Sequence, residues 1–266
     1  MHEIETSKIR EILLNLSKKY ILPKYKNLKD QDIKYKNNSD VYTSVDIIVE
    51  KELNTILCKL LPGSLFVGEE KFFEYPDIIN NYNLNQYCWT VDPLDGTKNF
   101  VKGKDKFAIM IALTFGDKIL QSWIYNPLTE DIFYAIKYKG SFHNDKKIKI
   151  ERSSNLSDSV GSISTKYWEE DYLTRMKKIK NLFFKINSYG CIGFEYIHIA
   201  TNNRDFAILS KLSPWDHLSG ILLIREAGGF DSYFDNGIYN HCLPKKNLIV
   251  ASNTKIGNEI LSIIKE

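Results

Sequence analysis

Two aspartates, Asp92 and Asp95, stand three residues apart directly after an apolar stretch, and their spacing is suited to chemistry. Pro93 stiffens the turn between them, and Gly96 and Thr97 follow at once. Short carboxylate side chains on a rigid turn can share hard divalent cations, and free backbone N–H groups behind them can receive an anion if a helix begins there. The alternative is a solvated turn that caps a helix, because Asp, Pro and Gly are ordinary turn residues.

Three more carboxylates stand at the ends of predicted elements. Asp46 lies in the first turn of a predicted helix, where the helix dipole alone favours an acid. Glu69 follows a short predicted strand, and Asp216 stands at the start of another helix, either as its cap or as a ligand. Glu69 and Asp216, together with Asp92 and Asp95, make four carboxylates at strand ends or helix starts, where a sheet protein usually builds its site.

The elements that must position these acids follow from hydrophobic spacing and from Pro and Gly breakers. We predict helices at residues 7–22, 43–60, 168–183 and 214–227. A further helix is predicted to end at residue 200, and a terminal helix to begin at about residue 254. We predict strands at residues 64–68, 87–91, 107–115, 119–125, 132–138, 160–164, 206–209, near 230 and 248–251. The polar run from Lys24 to Asp40 has no period and is predicted to be a loop, which could form a flap over a site.

The two halves of the chain differ in pattern. The first half is rich in strands, whereas the second alternates short strands with helices, as expected for layers on a sheet. We therefore predict an α/β protein in two lobes. The N-terminal lobe, residues 1–150, holds a sheet and the acidic motif, and the C-terminal lobe, residues 151–266, completes the site.

Composition excludes several classes of protein. The chain has 266 residues, 43% of them hydrophobic, so it can bury a sizeable core. Its 36 basic and 33 acidic side chains leave a net charge of +3, which is too balanced to indicate a nucleic acid or a membrane surface as partner. The four cysteines lack metal-ligand spacing, and no apolar run approaches the ~20 residues of a bilayer span. Since the N-terminus carries no secretory pattern, we predict a cytoplasmic protein.

Three sequence motifs follow one another along nearly the whole chain. They are Gly68-Glu69-Glu70, then Asp92-Pro93-Leu94-Asp95-Gly96-Thr97-Lys98-Asn99-Phe100, then Trp215-Asp216 with Glu226-Ala227-Gly228-Gly229. Their order and spacing resemble the inositol monophosphatase family of magnesium-dependent, lithium-sensitive phosphatases. The Thr43-x-x-Asp46 segment also fits. The resemblance implies a layered αβαβα sandwich of the inositol monophosphatase and fructose-1,6-bisphosphatase type, and a homodimer.

The resemblance also implies a metal site for two magnesium ions, with a third, weaker ion near Glu69. Glu69, Asp92 and the Leu94 carbonyl would bind one ion. Asp92, Asp95 and Asp216 would bind the second, so that Asp92 bridges the pair. Ions at such spacing stabilise the attacking and leaving oxygens in the hydrolysis of a phosphomonoester.

The family's catalytic groups map onto this sequence in the same way. The resemblance implies that Thr97 and Asp46 orient and deprotonate the attacking water, while the N–H groups of Gly96 and Thr97 hold phosphate oxygens. It also gives Glu69 a catalytic role and brings Asp95 and Asp216 into contact with the substrate. No histidine is required, in keeping with five scattered His residues.

The substrate pocket departs from the family pattern. Inositol-specific members carry a glutamate seven residues before the Trp-Asp aspartate, where this chain has Leu209. Gly190 and Cys191 fall in the family's substrate segment, and we place Glu195 in the leaving-group pocket, with a solvated helix position as the alternative. Histidinol phosphate, 3′-phosphoadenosine 5′-phosphate and sugar bisphosphates are alternatives to inositol phosphate. A non-catalytic protein that binds metal or anions is the alternative from another class.

Overall fold

A computed structural model describes residues 3–37, 40–243 and 245–265 of the chain. Within these ranges the helices are α1 Thr6–Leu16, α2 Ser44–Leu60, α3 Glu69–Glu74, α4 Thr97–Val101, α5 Glu170–Ile179, α6 Ile192–Ala200, α7 Pro214–Ala227 and α8 Thr254–Lys265. The strands are β1 Ile33–Asn37, β2 Asp40–Thr43, β3 Leu65–Gly68, β4 Tyr87–Asp95, β5 Ala108–Phe115, β6 Lys118–Asn126, β7 Asp131–Ile136, β8 Gly140–His143, β9 Lys146–Ile148, β10 Val160–Ile163, β11 Lys185–Ile186, β12 Phe206–Leu209, β13 Phe230–Tyr233 and β14 Leu248–Ala251.

The strands form two large sheets and one hairpin. A seven-stranded sheet has the order β3-β4-β5-β6-β7-β8-β9, a five-stranded sheet has the order β11-β10-β12-β14-β13, and β1 pairs with β2. In the first sheet β3 runs parallel to β4, with Gly68 beside Val91. The residues that follow this pair in each strand, Glu69 and Asp92, therefore emerge at the same edge of the sheet.

Helices and sheets stack in five layers. Helices α1 and α2 cover one face of the seven-stranded sheet, α6 and α7 fill the space between the two sheets, and α5 and α8 cover the outer face of the five-stranded sheet. Strand β5 shows why one strand serves two layers: Ala108 and Met110 point toward α6 and α7, whereas Ile109 and Ile111 point toward α1 and α2. Side chains alternate between the faces of a strand, so both faces of β5 are apolar. The order confirms the expected αβαβα sandwich.

The segment from Lys24 to Asp40 is not a single loop, and that prediction is wrong. It contains a 3₁₀ turn at Asp30–Asp32 and strand β1, and β2 begins at Asp40. The alternation Ile33-Lys34-Tyr35-Lys36 has only the minimum length that indicates a strand, and the polar residues on both sides of it favour a loop. Asn38 and Ser39 lie outside the described residues, and the role of this segment as a flap stays a prediction.

Several short elements were not predicted from the sequence. They are α3, a 3₁₀ segment at Pro76–Asn83, and the strands β8 and β9. Glu69 follows β3, as predicted, and opens the helix α3, which was not predicted. The division of the chain at residue 150 stays a prediction. In the ranges that the structure covers, no helix is both long and apolar enough to cross a membrane.

Candidate active site

The turn after β4 positions the two aspartates of the central motif. Pairing between β4 and β5 becomes irregular between Asp92 and Asp95, and the Leu94 N–H donates to Asp92 Oδ1 at 3.0 Å. Gly96 then takes φ 84° and ψ 29°, a left-handed conformation that L-residues adopt at a cost. A Cβ atom there would also lie 2.7 Å from the Lys106 carbonyl oxygen. The glycine is thus needed both for the turn and for the close approach of the backbone.

Asp95 is held by the first residues of α6. Its carboxylate accepts hydrogen bonds from the Cys191 thiol at 2.8 Å, the Ile192 N–H at 3.1 Å and the Gly193 N–H at 2.6 Å. A carboxylate offers about four lone-pair positions, so one stays open for a cation. The contact links the central motif to Cys191, which the sequence placed in the substrate segment.

Asp46 and Thr97 meet although they belong to different elements. The Thr97 hydroxyl lies 3.0 Å from Asp46 Oδ1 and 2.9 Å from the Leu94 carbonyl oxygen, and its single proton can serve one acceptor at a time. Asp46 Oδ2 accepts the Thr43 N–H at 2.8 Å in a capping box at the start of α2. Burial raises the pKa of Asp46 to about 6, against the hydrogen bonds from Thr43. Asp46 is therefore both a helix cap and a neighbour of the central motif.

Asp92 and Asp216 have raised pKa values because they are buried close to other carboxylates. Burial, followed by the charges of Glu69, Asp95 and Asp216, raises the pKa of Asp92 well above its ordinary value. Burial and the charges of Glu69 and Asp95 raise the pKa of Asp216 to about 8. Ser213, not Asp216, is the N-cap residue of α7. The Asp216 side chain is thus left at the cavity wall, where a cation would relieve the repulsion.

Glu69 is paired with a lysine from the hairpin. Lys36 Nζ lies 2.9 Å from Glu69 Oε1 and 2.7 Å from Glu70 Oε1, and it also lies 4.0 Å from the centroid of the Phe73 ring. As they stand, no three His, Cys, Asp or Glu side chains within residues 3–37, 40–243 and 245–265 are arranged to hold a metal ion. The carboxylates of Glu69, Asp92, Asp95 and Asp216 offer hard oxygen donors at this cavity, which suits magnesium. The set fits a magnesium site once Glu69 exchanges the ammonium group for the metal.

Most of the predicted site residues converge on one cavity of about 390 Å³, whereas Asp46, Cys191 and Glu195 are not in its lining. It is lined by Glu69, Asp92, Leu94, Asp95, Gly96, Thr97, Gly190 and Asp216. Leu209 lies in its wall, at the position where inositol-specific members have an acid. Nothing in the sequence pattern selects Lys36, Lys98, Lys166 or Lys211, and the last three of these also line the cavity. Of these lysines, only Lys98 belongs to a sequence motif, the one that runs from Asp92 to Phe100.

Glu195 lies beside this cavity and not in its wall. It lines an adjoining cavity of about 220 Å³ together with Gly190 and Cys191. Its buried carboxylate is paired with Arg204 and accepts the Tyr189 N–H at 2.8 Å and the Ser188 hydroxyl at 3.0 Å. Since the residue is buried, the solvated helix position is wrong. Its contacts hold the segment before α6 in place.

Comparisons with known proteins point to one family. A sequence profile of the inositol monophosphatase family matches residues 6–266. An inositol-1-monophosphatase of Caulobacter vibrioides is 28% identical over 237 residues, which span 86% of this chain and 89% of the relative. The extragenic suppressor protein SuhB of Bartonella henselae has a solved structure that is 26% identical, with a TM-score of 0.84 and 98% of each chain covered. The IMPase/NADP phosphatase solved with Mg²⁺ and phosphate shares the fold at 21% identity, a TM-score of 0.79 and coverage of 97% and 92%.

Proposed function

The chain belongs to the inositol monophosphatase family and is a phosphoric monoester hydrolase, and from this premise we propose that it hydrolyses a small phosphorylated alcohol in a magnesium-dependent reaction. The observation that carries the proposal is the contact between Thr97 and Asp46 beside the acidic cluster. Binding a metal alone does not require such a pair. It therefore favours turnover over a non-catalytic metal-binding role.

The residues that would hold magnesium are the carboxylates around the cavity. Glu69, Asp92 and the Leu94 carbonyl would bind one ion, and Asp92, Asp95 and Asp216 a second, with a weaker third near Glu69. Bound there, the metal would lower the pKa of a water molecule and stabilise the charge on the departing alkoxide. A solved relative of the same fold contains Mg²⁺ and phosphate, which supports this choice of ion.

Thr97 and Asp46 would position and deprotonate the attacking water. A hydroxyl that donates to Asp46 leaves its lone pairs free to accept a hydrogen bond from water. The pKa of Asp46, raised to about 6, makes this carboxylate a better base than an ordinary aspartate while it stays ionised at neutral pH. The pair thus has both the geometry and the proton affinity that water activation needs.

The phosphate would be held by the backbone that follows the motif. The first N–H groups of a helix have no partner within it, and those of Gly96 and Thr97 stand at the start of α4. Both residues line the cavity, and Gly96 takes the left-handed conformation at the start of the helix. They can therefore donate to the oxygens of a phosphate that lies against the acidic cluster.

The proposal is tested with p-nitrophenyl phosphate and inositol 1-phosphate, with and without magnesium. We expect magnesium-dependent release of phosphate by the natural chain and a loss of at least about 100-fold for Asp95→Asn, because the variant lacks one charge of the site. Asp117→Asn, in the exposed turn between β5 and β6, is the matched control and should keep full activity. Full activity of Asp95→Asn would refute the assignment.

Two further properties rest on the family resemblance, namely inhibition by lithium and dimerisation, and a third, the cytoplasmic location, rests on the N-terminal sequence. We propose that lithium inhibits the enzyme, that it works as a homodimer and that it resides in the cytoplasm. Lithium titration of the magnesium-dependent activity tests inhibition. Light scattering of the purified chain tests dimerisation, and imaging of a tagged chain tests the location.

A further inference from the structure

A buried hydrogen bond joins the two helices that lie between the sheets. The Tyr196 hydroxyl of α6 lies 2.9 Å from His217 Nδ1 of α7. Both residues are almost fully buried, with 1% and 3% of their surfaces exposed. His217 also lines the active-site cavity beside Asp216. The contact therefore connects the helical layer with the wall of the site.

Helix α6 holds Asp95 through its first turn. The N–H groups of Ile192 and Gly193 donate to the Asp95 carboxylate at 3.1 and 2.6 Å. Tyr196 lies four residues after Ile192 and three after Gly193, so its side chain leaves the helix on the same face as theirs. A displacement of α6 at Tyr196 would therefore be passed on to the Asp95 carboxylate.

Helix α7 presents the other carboxylate. Asp216 lies in its first turn, directly before His217. A rotation or shift of α7 at His217 would move the Asp216 side chain with it. Asp95 and Asp216 are the two ligands that, together with Asp92, would bind the second magnesium ion. Because one is fixed to α6 and the other belongs to α7, their separation depends on how these two helices pack.

The imidazole of His217 is held at both nitrogens. Its Nε2 lies 2.9 Å from the Lys211 carbonyl oxygen. A carbonyl oxygen can only accept a hydrogen bond, so Nε2 carries a proton, and Nδ1 of the neutral ring accepts the proton of the Tyr196 hydroxyl. The ring cannot turn without breaking a buried hydrogen bond. Tyr196 therefore meets an acceptor whose position is fixed.

A glycine on α7 makes room for the tyrosine. A Cβ atom at Gly220 would overlap the Tyr196 ring. Gly220 lies three residues after His217 and thus on the same side of α7. The two helices come close together where the hydrogen bond forms, so the bond can fix their spacing.

We propose that Tyr196 and His217 are positioning residues, whose hydrogen bond sets the separation of Asp95 and Asp216 and thereby the affinity for the second magnesium ion. This inference rests on the proposed phosphatase function. Magnesium demands nearly ideal octahedral geometry, so a small displacement of one carboxylate weakens its binding. The two side chains act through the carboxylates.

Calorimetry of magnesium binding to the full-length chain, without substrate, tests the proposal. Tyr196→Phe keeps the ring that packs on Gly220 and loses only the hydroxyl, so the variant should fold. We expect the Kd of one magnesium ion to rise about three- to tenfold, as the loss of one buried hydrogen bond warrants. All the ligands remain, so kcat at saturating magnesium should stay within about twofold of the natural value.

Tyr233→Phe is the matched control. It also removes a buried tyrosine hydroxyl, which donates to the Asn240 carbonyl oxygen at 3.1 Å, but Tyr233 belongs to β13 and not to either helix. The control should leave magnesium binding unchanged. Urea unfolding without magnesium measures the stability that each variant loses. A fall in magnesium affinity that merely follows lost stability in both variants would overturn the proposal.

Variants at His217 test the pair itself. His217→Asn places an acceptor oxygen near the position of Nδ1 and should keep most of the magnesium affinity. His217→Gln can still donate to the Lys211 carbonyl oxygen but lacks that acceptor, so it should resemble Tyr196→Phe. Combining His217→Gln with Tyr196→Phe should add no further shift, because both changes remove the same hydrogen bond. Shifts that multiply in the double variant would overturn the pairing.

The outcomes separate this inference from the proposed function. If the natural chain binds magnesium and releases phosphate from p-nitrophenyl phosphate, an unchanged magnesium Kd in Tyr196→Phe would overturn the positioning role and leave the phosphatase intact. Failure of the natural chain to release phosphate in the presence of magnesium would overturn the phosphatase, and this inference with it.

Discussion

The Thr97 hydroxyl lies 3.0 Å from the Asp46 carboxylate, although 51 residues separate them in the sequence. Asp46 is held by the capping box of α2, and Thr97 by the turn after β4. Since α2 packs on the face of the sheet that contains β4, the layering of the fold brings the two groups together. Because Thr97 and Asp46 are not among the proposed metal ligands, a substitution at Thr97 tests water activation separately from metal binding.

Removing the Thr97 hydroxyl should reduce turnover without abolishing metal binding. Thr97→Val keeps the shape of the side chain but loses the donor to Asp46, so we expect kcat to fall about 10²- to 10⁴-fold while KM changes little. Thr97→Ser, which keeps the hydroxyl, should retain most activity. Thr55→Val, on the exposed face of α2, serves as the control. A Thr97→Val enzyme as active as the natural chain would exclude this role.

If Glu69 binds magnesium as proposed, Lys36 should compete with the ion, because its ammonium group lies 2.9 Å from the carboxylate. Lys36→Met removes the competitor and one positive charge, so the magnesium concentration for half-maximal activity should fall, by about tenfold if one charged contact is lost. Magnesium titration of activity and calorimetry of binding measure the change. Lys71→Met, which removes a lysine of α3 that forms no ion pair with Glu69 in the described structure, is the control. It should leave the magnesium concentration for half-maximal activity unchanged. A higher magnesium requirement in Lys36→Met would contradict the competition.

The buried pair Arg204–Glu195 should be important for stability. Arg204→Met leaves the Glu195 carboxylate buried without a partner, and we expect the free energy of unfolding to fall by about 3–5 kcal/mol. Adding Glu195→Gln removes the unpaired charge and should restore part of the loss. Urea unfolding of the single and double variants measures both effects. Additive losses in the double variant would show that the two side chains do not act as a pair.

His241 should make the protein less stable in acid. Burial lowers the pKa of this histidine to about 4, from an ordinary value of about 6.5. Between these values the unfolded chain binds a proton that the folded chain refuses, so the free energy of unfolding falls as the pH falls. The loss attributable to His241 is about 2 kcal/mol at pH 5.

The measurement is urea unfolding of the natural chain and of His241→Gln at pH 7 and pH 5. Buried Glu50, whose pKa burial raises to about 7, acts in the opposite direction in both proteins. The difference between the two proteins therefore isolates the histidine. We expect the natural chain to lose about 2 kcal/mol more than the variant on acidification. Parallel losses would mean that the imidazole accepts its proton in the folded state.

The sequence by itself predicted most of the long helices and strands and singled out the acidic residues. Apolar spacing predicted α2 and the strand that leads to Asp92, and Gly96 marked the turn behind Asp95. These features depend on neighbours within a few residues, since helix periodicity, strand alternation and turn chemistry are local properties. The hairpin of β1 and β2 escaped prediction because its one alternating run, from Ile33 to Lys36, is short and is flanked by polar residues.

Only the tertiary structure decided which distant groups meet. The sequence contained no sign that Cys191 donates to Asp95, that Lys36 pairs with Glu69, or that Lys98 and Lys166 face one cavity. Each of these contacts joins different layers or different strand ends, so it depends on how the sheets and helices pack and not on spacing along the chain. Polar side chains in particular take partners that apolar periodicity cannot specify, because the partner is chosen by proximity in the folded state.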